Sequence, residues 1–128
     1  MAVWAIAAGA DDRRAEYALA RHVAVVGWAD TGDVSDAASR GTVRNRLAVA
    51  YPTAPADAID SWADQLWAFV QDITEGDMVA MRLDRQSEVA FGRVTGPYGY
   101  DAAAPANRRH QRPVSWVRQV PWLSLIHI

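Results

Sequence analysis

The chain has 128 residues, of which 51% are hydrophobic and 22% charged, which is typical of one soluble domain that buries its own core. It contains no cysteine, which excludes disulfides, thiolate zinc sites, iron–sulfur clusters and thiol nucleophiles from these residues. Its 13 basic residues are all arginine, which also excludes a P-loop lysine, a Schiff-base lysine and the lysine of a PD-(D/E)xK nuclease site.

The charge is divided unevenly along the chain. Residues 1–81 carry a net charge of −6, and residues 82–128 a net charge of +4. A basic segment in an acidic protein favours a polyanionic partner, although an uneven surface without a ligand would give the same count.

No apolar run approaches about 18 residues and the N-terminus has no signal-peptide pattern, so we expect a cytoplasmic protein.

Hydrophobic patterning predicts an α+β domain. Short apolar runs bounded by glycine, proline or polar turns predict strands at 3–7, 23–28, 78–83, 88–94 and 113–120. Amphipathic spacing predicts helices at 13–22, 42–50 and 57–73. Strands 78–83 and 88–94 form a hairpin, and no crossover helix follows them. We therefore expect a small, curved or barrel-like mixed sheet with helices packed around it.

Candidate catalytic groups are few. His22 and His110 are the usable histidines, and neither lies in a nucleophile–base or metal-ligand motif. Three aspartates, Asp57, Asp60 and Asp64, share one helix face and could form a metal site. A solvent-exposed polar face opposite the apolar stripe explains them without a metal. The sequence therefore predicts no enzyme, no metal and no cofactor.

Tryptophan is unusually frequent, with six copies. Trp4, Trp67 and Trp116 lie in apolar segments, so we expect them in the core. Trp28 follows an apolar strand and opens into a polar loop, which makes it a candidate stacking platform. Trp62 begins the amphipathic helix and could face either way.

A second aromatic group precedes a basic segment. Tyr98 and Tyr100 lie beside glycines in a loop that leads into residues 108–112. Recognition of an unstacked base requires aromatic faces close to arginines, because the ring covers the base while guanidinium groups hold phosphates. Ordinary packing is the alternative for each of these aromatic residues.

Several segments resemble a known family. They read SWADQLWAFV at 61–70, GDMV at 76–79, GRVTGPYGY at 92–100 and RHQRPVSW at 109–116. Together with WAI at 4–6 and GW at 27–28, they resemble the N-terminal domain of Mrr-type restriction endonucleases. More distantly, the order of elements is similar to the EVE and YTH domains of the PUA-like superfamily. The resemblance covers residues 3–122.

The resemblance implies a reader of modified bases, in which an aromatic cage holds a methylated base flipped out of the duplex. Trp28 matches the first cage residue, and candidates for the second wall are Trp62, Tyr98 and Tyr100. The residues expected to bind phosphates are Arg93, Arg108, Arg109, His110 and Arg112. Candidates for reading the Watson–Crick edge of the base are Asp30, Thr31, Ser35, Asn45 and Gln65.

The expected ligand is double-stranded DNA with a modified cytosine, either 5-methylcytosine or its hydroxymethyl form, ahead of N6-methyladenine. In the natural protein, a C-terminal Mrr-like nuclease is the implied partner. A reader of modified RNA and an oligomerisation or regulatory module without a nucleic-acid ligand remain alternatives. The family carries a further strand beyond residue 122, and its absence predicts an open sheet edge.

The last six residues, 123–128, read like the in-frame translation of a transposase-end sequencing adapter. We therefore assign the reader domain to residues 1–122 and exclude the tail from the fold.

Overall fold

A computed structural model describes residues 3–6, 12–83 and 88–121, which form an α+β domain. Its helices are α1 (Asp12–Arg21), α2 (Arg40–Ala50) and α3 (Ala56–Trp67), which continues as a π-helical turn (Ala68–Asp72). Its strands are β1 (Val3–Ile6), β2 (Val23–Val26), β3 (Met78–Leu83), β4 (Glu88–Val94), β5 (Gly99–Tyr100) and β6 (His110–Pro121). Short 3-10 turns lie at Ala29–Thr31 and Ala106–Arg108. None of the helices in these ranges is long and apolar enough to span a membrane.

The strands form a mixed sheet that curls into a half-barrel, in the order β1-β3-β4-β6-β2. β1 runs parallel to β3, and the other neighbours are antiparallel. β6 pairs with three strands: His110–Pro113 pair with β2, Val114–Pro121 pair with β4, and the short β5 pairs with His110 and Gln111. Among the described residues, β1 and β2 are therefore the two ends of the curled sheet.

An irregularity between β4 and β6 helps the sheet to curl. The register shifts next to Gly92, which pairs with Trp116, so that Val117 has no partner in β4. An extra residue of this kind bends the strand and increases its twist. A Cβ on Gly92 would stand 2.4 Å from Val114 Cγ1 and 2.8 Å from Trp116 Cε3, so β6 can pass this close only to a glycine.

Three apolar clusters join the helices to one another and to the sheet. α2 packs against α3 through Val43, Leu47, Ile59, Ala63 and Leu66. The end of α3 packs on the sheet through Phe69, Ile73, Val79, Val94 and Val114. α1 packs on the β3–β4 hairpin through Ala15, Ala18, Met81, Leu83 and Ala90.

The end of the long helix rests on a buried arginine. Arg112 is 4% exposed, and its guanidinium donates to the main-chain carbonyls of Phe69 (3.0 Å), Ile73 (2.7 Å) and Gly96 (3.2 Å). The last carbonyls of a helix have no intrahelical donor, and a cation is favourable at that end of the helix dipole. The prediction that Arg112 contacts a phosphate is therefore wrong, because its donors face carbonyls inside the protein.

The predicted fold class is confirmed. The largest difference is in the segment predicted as loop between residues 96 and 112, which contains β5 and the beginning of β6. We expected β6 to start at Pro113, but Pro113 lies inside the strand, where β6 passes from β2 to β4. The predicted helix at 57–73 also changes to π-helical geometry after Trp67. The predicted tail, 123–128, lies outside the described residues.

Candidate functional site

A cavity of about 650 Å³ is bounded by β1, by the end of β2 and by the end of α3. This size falls within the roughly 300–1,000 Å³ of small-ligand sites. Its lining residues are Trp4, Ala5, Ile6, Arg14, Val26, Gly27, Trp28, Asp64, Gln65, Ala68, Phe69, Ile73 and Asn107. Because it lies between the two end strands of the half-barrel, we name it the seam cavity.

Trp28 lines the seam cavity in a backbone conformation that is rare for a bulky residue. Its φ of 65° and ψ of 41° lie in the left-handed region. Its carbonyl accepts hydrogen bonds from the Thr31 amide (3.2 Å), the Thr31 hydroxyl (3.0 Å) and His110 Nε2 (2.9 Å). A strained conformation costs about 1–3 kcal/mol and persists only where the surrounding structure fixes it. These three hydrogen bonds hold the carbonyl of Trp28 in place.

His110 is fully buried and connects Trp28 to Tyr98. The Tyr98 hydroxyl lies 2.6 Å from His110 Nδ1. Because the Trp28 carbonyl can only accept, Nε2 carries the imidazole proton and Nδ1 accepts from the Tyr98 hydroxyl. Burial lowers the pKa of His110 and raises the pKa of Tyr98 to about 12, so both side chains are neutral at pH 7.

Three sequence predictions change because of this network. His110 is 0% exposed, so the prediction that it binds a phosphate is wrong. Tyr98 and Tyr100 do not line the seam cavity. Tyr98 packs edge-on against Phe69, and the Tyr100 hydroxyl donates to the Ala29 carbonyl (3.0 Å). The two tyrosines support the segment that carries Trp28 and do not form a wall of the seam cavity.

Trp62 contacts Trp28 directly. Their ring centroids are 6.3 Å apart and their planes are tilted by 40°, while Tyr51 meets Trp62 edge-on at 5.6 Å. A base between two parallel rings would need them about twice the 3.4 Å rise of stacked bases apart. The two rings are tilted and in contact with each other, and Trp62 does not line the seam cavity. That Trp62 forms the second wall of a cage stays a prediction.

Trp4 is the second tryptophan of the cavity wall. Its indole nitrogen donates to Asp77 Oδ2 (2.9 Å), and the same oxygen accepts from the Thr74 amide (3.0 Å). Asp77 is 7% exposed, so a buried carboxylate fixes the orientation of the ring. The expectation of a core position for Trp4 holds only in part, because the residue is partly buried and lines the cavity.

Of the predicted base-edge residues, Gln65 alone lines the seam cavity. A separate, more open cavity of about 310 Å³ is lined in part by Asp30, Thr31 and Asn45. Among the residues that the structure describes, no aromatic ring lines this second cavity. Ser35 is exposed in a turn. Asp30, Thr31, Ser35 and Asn45 therefore do not line the seam cavity, although Thr31 contacts the Trp28 main chain.

Other polar residues of the seam cavity were missed from sequence. Arg14 reaches it from α1, Asp64 from α3 and Asn107 from the 3-10 turn before β6. Asp64 was considered only as part of an acidic helix face. Asp64 and Gln65 both lie in the segment SWADQLWAFV, which carries the resemblance. Its place in this segment was the one signal that could have pointed to Asp64 as a site residue.

The acidic face of α3 joins two helices. Arg40 on α2 contacts Asp64 at 2.5 Å, and Arg44 contacts Asp60 at 2.5 Å. These arginines hold the pKa of Asp60 below its usual value, through the hydrogen bond from Arg44 above all. Within the described ranges, no group of three or more metal-ligating residues comes together.

The remaining predicted phosphate residues fall into two places. Arg93 is exposed on β4, with its guanidinium 3.5 Å from the Gly76 carbonyl. Arg108 and Arg109 follow the cavity residue Asn107 directly. Arg109 is half-buried and donates to the Ala104 carbonyl (2.9 Å), whereas the guanidinium of Arg108 lies over an aromatic ring of α1.

The fold and the site define an α+β domain with an aromatic cavity at the seam of a half-barrel. The chain belongs to the family described as Domain of unknown function (DUF8426), whose model matches residues 4–128. This match includes residues 123–128, the segment that reads like an adapter. No curated protein and no solved structure matches the chain.

Proposed function

We propose that the protein is a DNA-binding module that recognises a modified base, with modified cytosine as the first choice, after the base has flipped into the seam cavity. The observation that carries the proposal is that Trp4 and Trp28 line one cavity of about 650 Å³ together with polar side chains. Stacking on an aromatic ring stabilises a bound base by roughly 1–3 kcal/mol. Two such rings offset the cost of flipping, which is a few kcal/mol.

The apolar part of the wall favours a methylated base. Ile6, Val26 and Ala68 line the cavity beside the tryptophans. Burying one methyl group contributes about 0.8 kcal/mol, which corresponds to roughly fourfold in affinity. A preference larger than this requires a pocket that fits the modified base closely.

The polar part of the wall supplies the contacts to the Watson–Crick edge. Cytosine presents an amino donor beside acceptors, so an amide, which both donates and accepts, is the most suitable partner. Gln65 and Asn107 carry such groups at the cavity. Asp64 could accept from the amino group, but one of its oxygens already accepts from Arg40. Gln65 Nε2 also donates to Ser61 Oγ (3.3 Å), but an amide has a second N–H and a carbonyl oxygen. We therefore infer that the two amides read the base edge.

The resemblance to the domain of Mrr-type endonucleases supports a role in a restriction system. In this proposal the chain binds the modified duplex, and an attached nuclease domain of the natural protein cuts it.

A binding panel tests the proposal. The duplexes share one sequence and differ at one base: cytosine, 5-methylcytosine, 5-hydroxymethylcytosine, adenine or N6-methyladenine; an RNA duplex of that sequence completes the set. We expect at least about fourfold tighter binding of a modified cytosine than of cytosine. Equal affinities, or a preference for RNA, would contradict the proposal. Absence of salt-dependent binding to every oligonucleotide would favour a module without a nucleic-acid ligand.

Ala68→Phe is the matched variant for the panel. Ala68 lines the cavity from the π-helical turn, so a phenylalanine there should fill the space for the base. We expect this variant to lose the preference for the modified duplex and to retain binding to the unmodified one.

A further inference from the structure

A cluster of aromatic and cationic side chains joins α1 to the 3-10 turn before β6. The guanidinium carbons of Arg21 and Arg108 lie 5.2 Å and 5.5 Å from the centroid of the Tyr17 ring. Gln111 Nε2 donates to the Tyr17 hydroxyl (3.2 Å) and to the Arg108 carbonyl (2.9 Å). We name these four residues the Tyr17 cluster. Its hydrogen bonds fix the ring relative to the turn, so the two cations are held on one framework.

The Tyr17 cluster adjoins the seam cavity through both of its elements. On α1, Arg14 lies about one turn before Tyr17 and lines the cavity, and its Nη2 would be 3.3 Å from a Cβ on Gly27. On the 3-10 turn, Asn107 lines the cavity and directly precedes Arg108. Both elements therefore carry an arginine at or next to the cavity wall, Arg14 on α1 and Arg108 after Asn107.

The spacing of the arginines suits a nucleic-acid strand. Arg14 and Arg21 are seven residues apart in α1, which is about 10 Å along the helix axis. That length corresponds to roughly three phosphates at a rise of 3.4 Å per nucleotide of one strand. A guanidinium over an aromatic ring keeps N–H donors at its edge, and these can bind phosphate oxygens in pairs.

We propose that the Tyr17 cluster is a phosphate-binding site for the DNA strand that flanks the flipped base. Arg21 and Arg108 contact the phosphates, and Tyr17 positions both guanidinium groups. Arg21 and Tyr17 were absent from the phosphate-binding residues expected from the sequence, because helix α1 gave no sign of its position beside residues 106–111. The identity of the ligand rests on the proposed function, whereas the basic surface itself rests on these contacts.

The test compares the wild type with the variants Arg21→Ala and Arg108→Ala. For each protein, dissociation constants are measured over a salt series for two duplexes, one with 5-methylcytosine and one unmodified. We expect each variant to weaken binding of both duplexes by the same factor and to reduce the salt slope by about one unit. Tyr17→Leu should weaken both duplexes similarly, because both guanidinium groups lose their support. Arg118→Ala is the control: Arg118 is exposed on β6, about 26 Å of strand beyond His110, and its removal should leave the slope unchanged.

The outcomes separate this proposal from the function of the cavity. Wild-type affinities and slopes in both arginine variants would overturn it, as would a lost preference for modified DNA at an unchanged slope. Tighter binding of an acidic peptide than of DNA would also overturn it. A reduced slope in a protein that does not distinguish the two duplexes would support the phosphate site and contradict the base-reading function. Arg21 is exposed, so Arg21→Ala alone decides the test if Arg108→Ala fails to fold.

Discussion

Trp28 combines a strained backbone with a place on the cavity wall. A left-handed conformation is costly for a residue with a large side chain, and the fold maintains it through hydrogen bonds from Thr31 and His110 to the Trp28 carbonyl. Backbone strain that is maintained by the surrounding structure is common at sites where a side chain must hold a fixed position to bind a ligand. This arrangement gives the Trp28 main chain a defined position in the protein alone.

Replacing Trp28 by alanine removes a stacking surface. We expect Trp28→Ala to cost about 1–3 kcal/mol of affinity for the modified duplex. Affinity for the unmodified duplex should change little, because no base enters the cavity there. Dissociation constants for both duplexes, with urea unfolding of the same protein, measure these effects. Trp67→Ala is a control, since Trp67 packs on the helical cluster and does not line the cavity.

The control should lose stability and keep its preference for the modified duplex. If Trp28→Ala instead lost about 3–5 kcal/mol of stability and bound every duplex more weakly, Trp28 would be a packing residue.

Titration of His110 predicts a pH dependence of stability. Burial lowers its pKa below the value of about 6.5 in the unfolded chain, although its hydrogen bond to Trp28 and the charge of Asp33 oppose this shift. Below about pH 6.5 the unfolded chain takes up a proton that the folded chain does not bind. The stability that comes from burying His110 in its neutral form is therefore fully present above about pH 6.5. It is lost as the pH falls toward the pKa of the folded state, by up to about 1.4 kcal/mol per pH unit.

Urea unfolding of the wild type and His110→Gln at pH 7, 6 and 5 measures this contribution. Glutamine keeps a donor for the Trp28 carbonyl but does not titrate. The free energy of unfolding should fall more steeply in the wild type over this interval. Parallel pH profiles of the two proteins would contradict the assignment of a buried, neutral His110.

At the scale of elements, β6 explains which residues of the basic segment could be predicted. His110, Arg112 and Val114 are 0%, 4% and 1% exposed, whereas Ser115, after the switch of partner strand, is exposed. Alternation along a strand places residues two apart on the same face. The sequence predicted a strand that starts at Pro113, so the alternation before Pro113 was not recognised. His110 and Arg112 were therefore predicted as loop residues that could bind phosphates.

Pairings between distant segments set the limit of prediction from the sequence. The short strands and the amphipathic α3 were recognisable because their apolar residues recur with the period of each element. Trp28 was recognisable because it ends an apolar run and opens a polar loop. The place of Trp4 was not, because it depends on β1 pairing with β3 more than 70 residues away. No local pattern reports which strands become the ends of a curled sheet.

Removing Arg112 should destabilise the end of α3. Arg112→Met keeps much of the buried volume but leaves the carbonyls of Phe69, Ile73 and Gly96 without this donor. Each buried carbonyl without a partner costs about 1–3 kcal/mol, so for three carbonyls we expect a loss of at least about 3 kcal/mol in urea unfolding. The salt slope of DNA binding should remain that of the wild type, as in Arg118→Ala. An unchanged stability with a smaller slope would restore Arg112 to the phosphate-binding residues.

At the scale of the whole molecule, the seam cavity lies between the two end strands of the sheet that the described residues form. β1 and β2 are its end strands, and both contribute to the wall, with α3 and its π-helical turn completing it. The acidic α3 face is paired with arginines of α2, whereas the Tyr17 cluster presents arginines beside the cavity. The molecule therefore offers an aromatic cavity and a neighbouring basic surface, which together suit a flipped base and its strand.

The fluorescence of a 2-aminopurine placed next to a single 5-methylcytosine reports most directly whether that base leaves the duplex. The reporter brightens when its stacking neighbour is removed. We predict that the wild type raises the fluorescence of the modified duplex more than that of the unmodified duplex, and that Ala68→Phe does not. Saturated binding of the modified duplex without a rise in fluorescence would contradict base flipping into the seam cavity.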